Sequence, residues 1–281
     1  MTKQIINHNG SFFNADDKLL TASNRGLKYG DGLFESMRYS KGKVKFAHLH
    51  AQRLQQGMRA LKLEGYSQID AYFLQDKAYE ICRRNKITQN ARLRLTVFRE
   101  GGGLYSPIEN KFGYILEASA LPTAVYELNT KGLIMDIYAD IPKAINQLSN
   151  YKTCNALPYV MAGIFKDTQK LDEAFILNQN GFLCESVSAN VFLVYDKKLY
   201  TPALSEGCIG GVMRQVVIDL ANNNGIEMIE AQINPEILNQ ADEVFLTNAA
   251  KGIQWVMGFN NKRYFYETSK FLIEKLNQTS Q

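Results

Sequence analysis

The sequence predicts an α+β fold, because strands and helices are mixed along the chain and several strands are joined by hairpin turns. Residues 91–98 alternate between two sets of side chains with the period of two that is typical of a half-buried strand. Residues 212–222 instead have the spacing of an amphipathic helix and end at Asn223-Asn224-Gly225, which is a common helix stop. An Asn-Gly turn at 180–181 separates two short apolar segments, as in a hairpin.

The other elements follow from the same two periodicities. Residues 67–86 form a predicted helix with Ser67 or Asp70 as its N-cap. The complete set of predicted helices is 47–63, 67–86, 156–165, 212–222 and a closing helix within 264–277. The chain before residue 47 is predicted to form strands whose bounds the pattern does not set. The later predicted strands are 91–98, 112–119, one that starts near 133, 174–177, 181–183, 189–195 and 243–247. Leu121-Pro122 interrupts this pattern between two strands, so we predict domains at 1–120 and 129–281 with a linker at 121–128.

Composition excludes several classes of function. The chain has 281 residues, a net charge of +4 and no basic stripe, which argues against a nucleic-acid partner. No apolar run reaches the roughly 18 residues of a membrane helix, and the N-terminus lacks a signal-peptide core. The cysteines are sparse and form no CxxC pair, which suits the reducing cytoplasm, and the histidines lack a ligand set, so we expect no metal site.

Three features of the later chain suggest chemistry. Lys152 precedes an apolar helix, where partial desolvation would favour the neutral amine that imine chemistry needs. Glu185 lies between two apolar strands and needs a partner, either a protonated ring nitrogen or a cation of the protein. Residues 207–211 form a glycine-rich turn that leads into a helix, as in many phosphate sites. Each feature alone has a common structural explanation, but together they are the anchors of a phosphorylated pyridine aldehyde.

The order of the motifs makes the resemblance specific. The matching blocks are Tyr29-Gly-Asp-Gly-Leu-Phe-Glu-Ser-Met-Arg, His50-Ala-Gln-Arg-Leu, Gly181 to Val194, the turn that ends at Arg214, and Ala241 to Asn248. With these blocks the sequence resembles the class IV aminotransferases, the fold type IV group of pyridoxal-phosphate enzymes. That group includes branched-chain aminotransferase, D-amino-acid aminotransferase and aminodeoxychorismate lyase. The resemblance implies the two-domain D-amino-acid-aminotransferase-like architecture, with residues 129–281 as the larger, cofactor-binding domain.

The resemblance also implies a role for each matching residue. Lys152 matches the lysine that forms the Schiff base with pyridoxal 5'-phosphate and then moves protons. Glu185 matches the acid that pairs with the pyridine nitrogen. The full set of implied cofactor-binding residues is Arg53, Lys152, Glu185, Gly211, Val212, Met213, Asn248 and Ala249. Met213 stands where the family usually has threonine, so one hydroxyl near the phosphate is missing.

Signals for the substrate conflict. Asn155 at the third place after Lys152 fits the D-amino-acid enzyme and the lyase, and Ala156 removes the tyrosine that branched-chain enzymes have near that place. Gly103 stands where the lyases have an arginine, whereas Arg94 matches a substrate arginine of the branched-chain enzymes. We therefore predict an aminotransferase that acts on a small amino acid and a 2-keto acid, with Arg94, Tyr29 and Tyr105 at the substrate. Aminodeoxychorismate lyase and a catalytically idle cofactor-binding protein are the alternatives, and the resemblance implies a cytoplasmic homodimer.

Overall fold

The computed structural model describes residues 4–279, which divide into two compact units. The first unit runs through Ala124 and also includes Tyr151–Asn155. The second unit comprises Val125–Asn150 and the chain from Ala156 onward. No helix of the described residues is long and apolar enough to cross a membrane.

The first unit is a six-stranded antiparallel sheet that is covered on one face by two helices. The strands have the order β2-β1-β6-β5-β3-β4. They are β1 (Ile5–His8), β2 (Ser11–Asn14), β3 (Gly32–Ser40), β4 (Lys43–Val44), β5 (Asn90–Arg99) and β6 (Phe112–Ala120). The helices are α1 (Arg25–Tyr29), α2 (Ala47–Ala60) and α3 (Ala71–Arg84).

The register of this sheet decides which side chains meet the helices. Leu93 and Leu95 of β5 are buried in the core with apolar residues of α2 and α3, as the alternation predicts. Glu35 of β3 is opposite Leu95 and therefore points to the same, helix-covered face. Ser36 is opposite Arg94, so the odd and even positions of these strands serve two different faces of the sheet.

Helix α3 begins later than the sequence suggests, for a local reason. Residues Tyr66–Gln68 form a separate 3-10 turn, and the helix starts at Ala71. The Asp70 carboxylate accepts a hydrogen bond from the Phe73 N–H at 2.7 Å, so Asp70 rather than Ser67 is the N-cap.

The second unit is built on a mixed nine-stranded sheet. Its order is β12-β11-β10-β13-β14-β7-β8-β9, and β15 pairs with β14. The strands are β7 (Leu133–Lys143), β8 (Glu173–Asn178), β9 (Leu183–Ser186), β10 (Asn190–Tyr195), β11 (Lys198–Pro202), β12 (Met228–Ala231), β13 (Glu243–Asn248), β14 (Gly252–Phe259) and β15 (Lys262–Arg263). The helices are α4 (Leu157–Thr168), α5 (Val212–Asn223) and α6 (Glu267–Thr279). Strand β9, the last strand in this order, carries Glu185 opposite Ile176 of β8, and both residues are buried.

Candidate active site

Lys152 lies in a short extended segment of the first unit. The Lys152 carbonyl accepts a hydrogen bond from the Phe34 N–H at 2.8 Å, and the Cys154 N–H donates to the Gly32 carbonyl at 2.9 Å. These bonds attach the segment to the beginning of β3, so Lys152 is fixed through its backbone. Its Nζ lies 4.2 Å from the centroid of the Phe34 ring, and the residue is half-buried. The amine is therefore held against an aromatic surface rather than in bulk solvent.

Arg94 is placed on the same aromatic side chain. Its guanidinium carbon lies 4.0 Å from the centroid of the Phe34 ring. Arg92 is two residues earlier on β5 and on the same face, but it is exposed, whereas Arg94 is half-buried. Both arginines line a shallow depression that Glu117 of β6 also borders. Arg94 and Lys152 therefore lie against the same Phe34 ring.

Arg53 is held by a buried acid on the helix-covered face of the same sheet. Its Nε and Nη2 donate to the two carboxylate oxygens of Glu35, at 2.7 and 2.5 Å. His50 Nδ1 contacts Glu35 Oε2 at 2.7 Å. Burial alone would raise the pKa of Glu35, but the charge of Arg53 and the hydrogen bond from His50 outweigh it and lower the pKa to about 2. Glu35 is therefore ionised and takes two of the five N–H donors of Arg53.

The loop that the resemblance assigns to the substrate is organised by Arg25. Arg25 is buried, pairs with Asp31 at 2.8 Å and donates to the Leu104 carbonyl at 2.5 Å. The loop places the exposed Tyr105 ring 5.5 Å from the Tyr29 ring, centroid to centroid. The structure thus brings Tyr29 and Tyr105 together.

Gly103 in that loop has no room for a side chain. Its φ is +98°, and a Cβ there would lie 2.4 Å from the Ser106 carbonyl oxygen. The arginine that the lyases have at this place could not be accommodated with this backbone.

Glu185 of the second unit is 2% exposed and is contacted by three hydrogen-bond donors. Its Oε1 accepts from Lys143 Nζ at 2.5 Å and from the Tyr159 hydroxyl at 2.6 Å, and its Oε2 accepts from the Ile209 N–H at 2.9 Å. Lys143 and Tyr159 were not among the residues predicted for this site. Tyr159 lies one helical turn after Ala156, near which the branched-chain enzymes have a tyrosine, so the helical spacing from Ala156 was a signal that could have identified it.

The glycine turn continues from Ile209 into the beginning of α5. Gly211 is the N-cap and no side chain caps this helix, so the first amides, from Val212 and Met213 onward, have no acceptor within the helix. A Cβ on Gly211 would lie 1.9 Å from Asn190 Oδ1, so only glycine fits. Uncapped amide donors at a helix N-terminus suit a phosphate group.

Strand β13 ends at Asn248, and the turn that follows it begins at Ala249. Asn248 Oδ1 accepts from the Lys251 N–H at 2.8 Å, and the Ala249 carbonyl accepts from the Tyr126 hydroxyl at 3.2 Å. Thr247 Oγ1, one residue earlier, is buried and has no hydrogen-bond partner among residues 4–279. Thr247 is opposite Asn190, the residue that contacts Gly211. An unsatisfied hydroxyl beside an uncapped helix is what a bound polar group would complete, so the second unit fits a phosphorylated cofactor.

Comparison with known proteins identifies the family. The family described as Amino-transferase class IV matches residues 32–257. The chain belongs to the class IV aminotransferases. An Escherichia coli branched-chain-amino-acid aminotransferase is 29% identical over 262 residues, covering 87% of this chain and 81% of that protein. A Bacillus subtilis aminodeoxychorismate lyase is 26% identical over 244 residues, covering 86% and 82%.

Solved structures confirm the predicted fold. A crystal structure of branched-chain amino acid aminotransferase from Escherichia coli superposes with a TM-score of 0.87 over all of this chain and 95% of that one, at 24% identity. That identity supports the fold alone, which is the predicted two-domain α+β architecture. Family membership confirms that the chain is an enzyme. Within the described part of the chain, no group of three or more histidine, cysteine or acidic residues is arranged to hold a metal ion.

Proposed function

We propose that this class IV enzyme is an amino-acid aminotransferase that transfers the amino group of a small amino acid to a 2-keto acid. The observation that carries the proposal is the Phe34 ring, which has Lys152 Nζ at 4.2 Å and the Arg94 guanidinium at 4.0 Å. An α-amino acid has its carboxylate one carbon from its amine. A carboxylate receptor beside a reactive lysine suits that substrate class.

Pyridoxal 5'-phosphate is the cofactor of this family, and it would supply an electron sink for the electron pair left on the substrate Cα when its proton is removed. Within the proposal, Lys152 binds the aldehyde of the cofactor and Glu185 accepts a hydrogen bond from its ring nitrogen. Arg53 and the amides of Val212 and Met213 hold the phosphate. Gly211 lets the phosphate approach the helix, and Asn248 and Ala249 border it.

Lys152 also moves the proton in this proposal. The Lys152 amine would act as a general base that takes the proton from the substrate Cα and then as a general acid that returns it. Half-burial against Phe34 limits the water around the Lys152 amine. Arg94 binds the substrate carboxylate and orients the substrate Cα–H toward the lysine, with Tyr29 and Tyr105 as further substrate contacts.

Aminodeoxychorismate lyase is the second candidate, and a curated relative of that name supports it. The lyase would use the same Lys152 but expel pyruvate. Gly103 argues against it, because its backbone excludes the arginine that the resemblance requires of a lyase. A catalytically idle protein is a weaker candidate, since cofactor binding alone would not require Lys152.

The aminotransferase and lyase activities are distinguished by two separate assays, one with an amino acid and 2-oxoglutarate and one with aminodeoxychorismate alone. The purified enzyme is expected to convert L- or D-amino acids in the presence of 2-oxoglutarate and to be inert toward aminodeoxychorismate. Release of pyruvate and p-aminobenzoate without a keto acid would refute the aminotransferase assignment. Lys152→Ala is expected to abolish turnover, and full activity of this variant would refute its role.

Arg94 and Arg92 provide a matched pair of variants for the carboxylate receptor. Arg94→Ala is expected to raise KM by roughly 10- to 100-fold with a smaller change in kcat, since a hydrogen bond to a charged group contributes about 1.5–3 kcal/mol. Arg92→Ala removes an equal charge from the same face and is expected to leave KM within about twofold. Equal effects of the two would make Arg94 a general electrostatic contributor rather than the receptor.

As part of the same proposal, the enzyme works in the cytoplasm as a homodimer. The resemblance supports both points, and the four free cysteines agree with a reducing compartment. Sedimentation of the purified chain at twice its 31.8 kDa mass would support the dimer.

A further inference from the structure

Glu185 has more partners than an acid reserved for a ligand would need. A carboxylate offers about four acceptor directions, two on each oxygen. Lys143 and Tyr159 occupy both directions of Oε1, and the Ile209 N–H occupies one direction of Oε2. Among residues 4–279 this leaves one direction, and it is on Oε2.

Lys143 is fixed in place by more than this one ion pair. It ends β7, its side chain is 11% exposed, and its Nζ also donates to the Ser149 carbonyl at 3.2 Å. The ammonium lies 5.4 Å from the centroid of the Tyr159 ring. The buried Lys143 ammonium therefore contacts the Glu185 carboxylate, the Ser149 carbonyl and the Tyr159 ring.

Tyr159 is held as a donor. Burial raises the pKa of the Tyr159 phenol, and the nearby charge of Glu185 raises the pKa further. The hydroxyl therefore keeps its proton and points it at Oε1. Lys143, Tyr159 and Glu185 form a neutral, hydrogen-bonded group within the second unit.

We propose that Lys143 is a permanent counter-cation of Glu185, which shares the charge of this carboxylate with the cofactor ring. Lys143 and Tyr159 bind Oε1, and the open acceptor direction of Oε2, beside the Ile209 N–H, binds the ring nitrogen. Lys143 and Tyr159 are then positioning residues, because they act on the cofactor through Glu185. The inference rests on the proposed role of Glu185 as the acid at the ring nitrogen.

The charge of Lys143 has a definite consequence for the ring. A like charge nearby disfavours a protonated group, so Lys143 weakens the hold of Glu185 on a protonated ring nitrogen. Lys143 is the cation paired with the buried carboxylate among residues 4–279, so its removal leaves Glu185 without a paired cation of the described chain. The protonated ring would then be its main counter-charge, and the attraction between them would grow.

The test compares two ligands that differ only at the ring nitrogen. The full chain, freed of cofactor, is titrated with pyridoxal 5'-phosphate and with its analogue that has C–H in place of the ring nitrogen. The ratio of the analogue Kd to the pyridoxal-phosphate Kd reports the contribution of that nitrogen. Measuring binding rather than turnover separates this effect from the chemistry at Lys152.

The variants alter the charge, the hydrogen bond and the acid in turn. Lys143→Met is expected to raise the ratio by about tenfold or more, because it removes the unit positive charge that pairs with Glu185. Tyr159→Phe, which removes a neutral donor, is expected to raise it by about two- to threefold. Lys143→Arg keeps the charge and is expected to restore the wild-type ratio within about twofold. Lys198→Met, which removes a surface lysine paired with Glu227, serves as the control.

The outcomes distinguish this inference from the proposed function. Glu185→Gln is expected to lower the ratio toward one, and no change would refute the assignment of Glu185 to the ring nitrogen. If Glu185→Gln lowers the ratio but Lys143→Met and Tyr159→Phe leave it unchanged, Lys143 has only a structural role and the inference fails. If Lys143→Met does not fold, Tyr159→Phe alone decides, since it leaves every charge in place.

Discussion

Replacing Glu35 by glutamine is expected to lower the unfolding free energy of the first unit by about 3 kcal/mol or more at neutral pH. Glu35 is 1% exposed, and its pKa falls from 4.5 to about 2 in the fold. At about 1.36 kcal/mol for each pKa unit, this shift corresponds to about 3 kcal/mol of stability at neutral pH. Glutamine keeps the size of the side chain but removes the charge that Arg53 requires.

The tautomer of His50 adds to this cost. His50 donates from Nδ1 to Glu35, and its Nε2 is buried with no hydrogen-bond partner among the described residues. If the new amide donated to Nδ1 instead, the ring proton would move to Nε2 and meet no acceptor. Such a buried, unsatisfied donor costs about 1–3 kcal/mol, so we expect a total loss near the upper end of the range for single substitutions.

Urea unfolding of the cofactor-free protein measures the effect. Glu117→Gln is the control, since Glu117 belongs to the same sheet and has no ion pair in the described part of the chain. Equal unfolding free energies for the two variants at pH 7 would refute the calculation. The pH dependence checks the sign: a depressed carboxyl pKa stabilises the fold above pH 4.5, and this stability is lost as the pH falls from 4.5 toward 2. Glu35→Gln should reduce that loss.

Two further predictions concern local geometry. Gly211→Ala is expected to lower the melting temperature and to weaken pyridoxal-phosphate binding, because its Cβ would lie 1.9 Å from Asn190 Oδ1. The control Gly163→Ala, at an open helical position, should stabilise the protein by up to ~1 kcal/mol. Equal pyridoxal-phosphate affinities of the two variants would contradict the expectation for Gly211. Arg25→Lys is expected to speed chymotryptic cleavage after the exposed Tyr105, because lysine cannot replace the guanidinium hydrogen bonds to the carbonyls of residues 103–105. An unchanged cleavage rate would show that these hydrogen bonds do not order the loop.

The strongly periodic elements could be predicted from the sequence, and the reason is physical. Strand β5 alternates because one of its faces is buried under helices, and α5 ends where predicted because Asn and Gly stop it. Strands were predicted early in the chain, but the bounds of β1 and β2 could not be given, because each has only four residues, too few for a period to show.

Long-range pairing was the other obstacle. Lys152 precedes an apolar helix, as predicted, but the segment that carries it also pairs with β3, more than a hundred residues earlier. Only the folded chain creates that pairing, so local sequence could not indicate it. For the same reason Lys143 gave no signal: a lysine at the end of a strand is ordinary until the strand register brings it to Glu185.

Glu35 and Glu185 show why a buried carboxylate is ambiguous in sequence. Both are almost fully buried, and both are paired with a cation of the protein. Glu35 gives both of its oxygens to Arg53 and His50, so its charge serves to hold side chains. Glu185 gives one oxygen to the lysine and keeps an acceptor direction on the other. In the sequence, a bound ligand and an internal ion pair are competing explanations for Glu185. A carboxylate has two oxygens, however, and the geometry allows Glu185 to pair with Lys143 through one oxygen and to bind a ligand through the other.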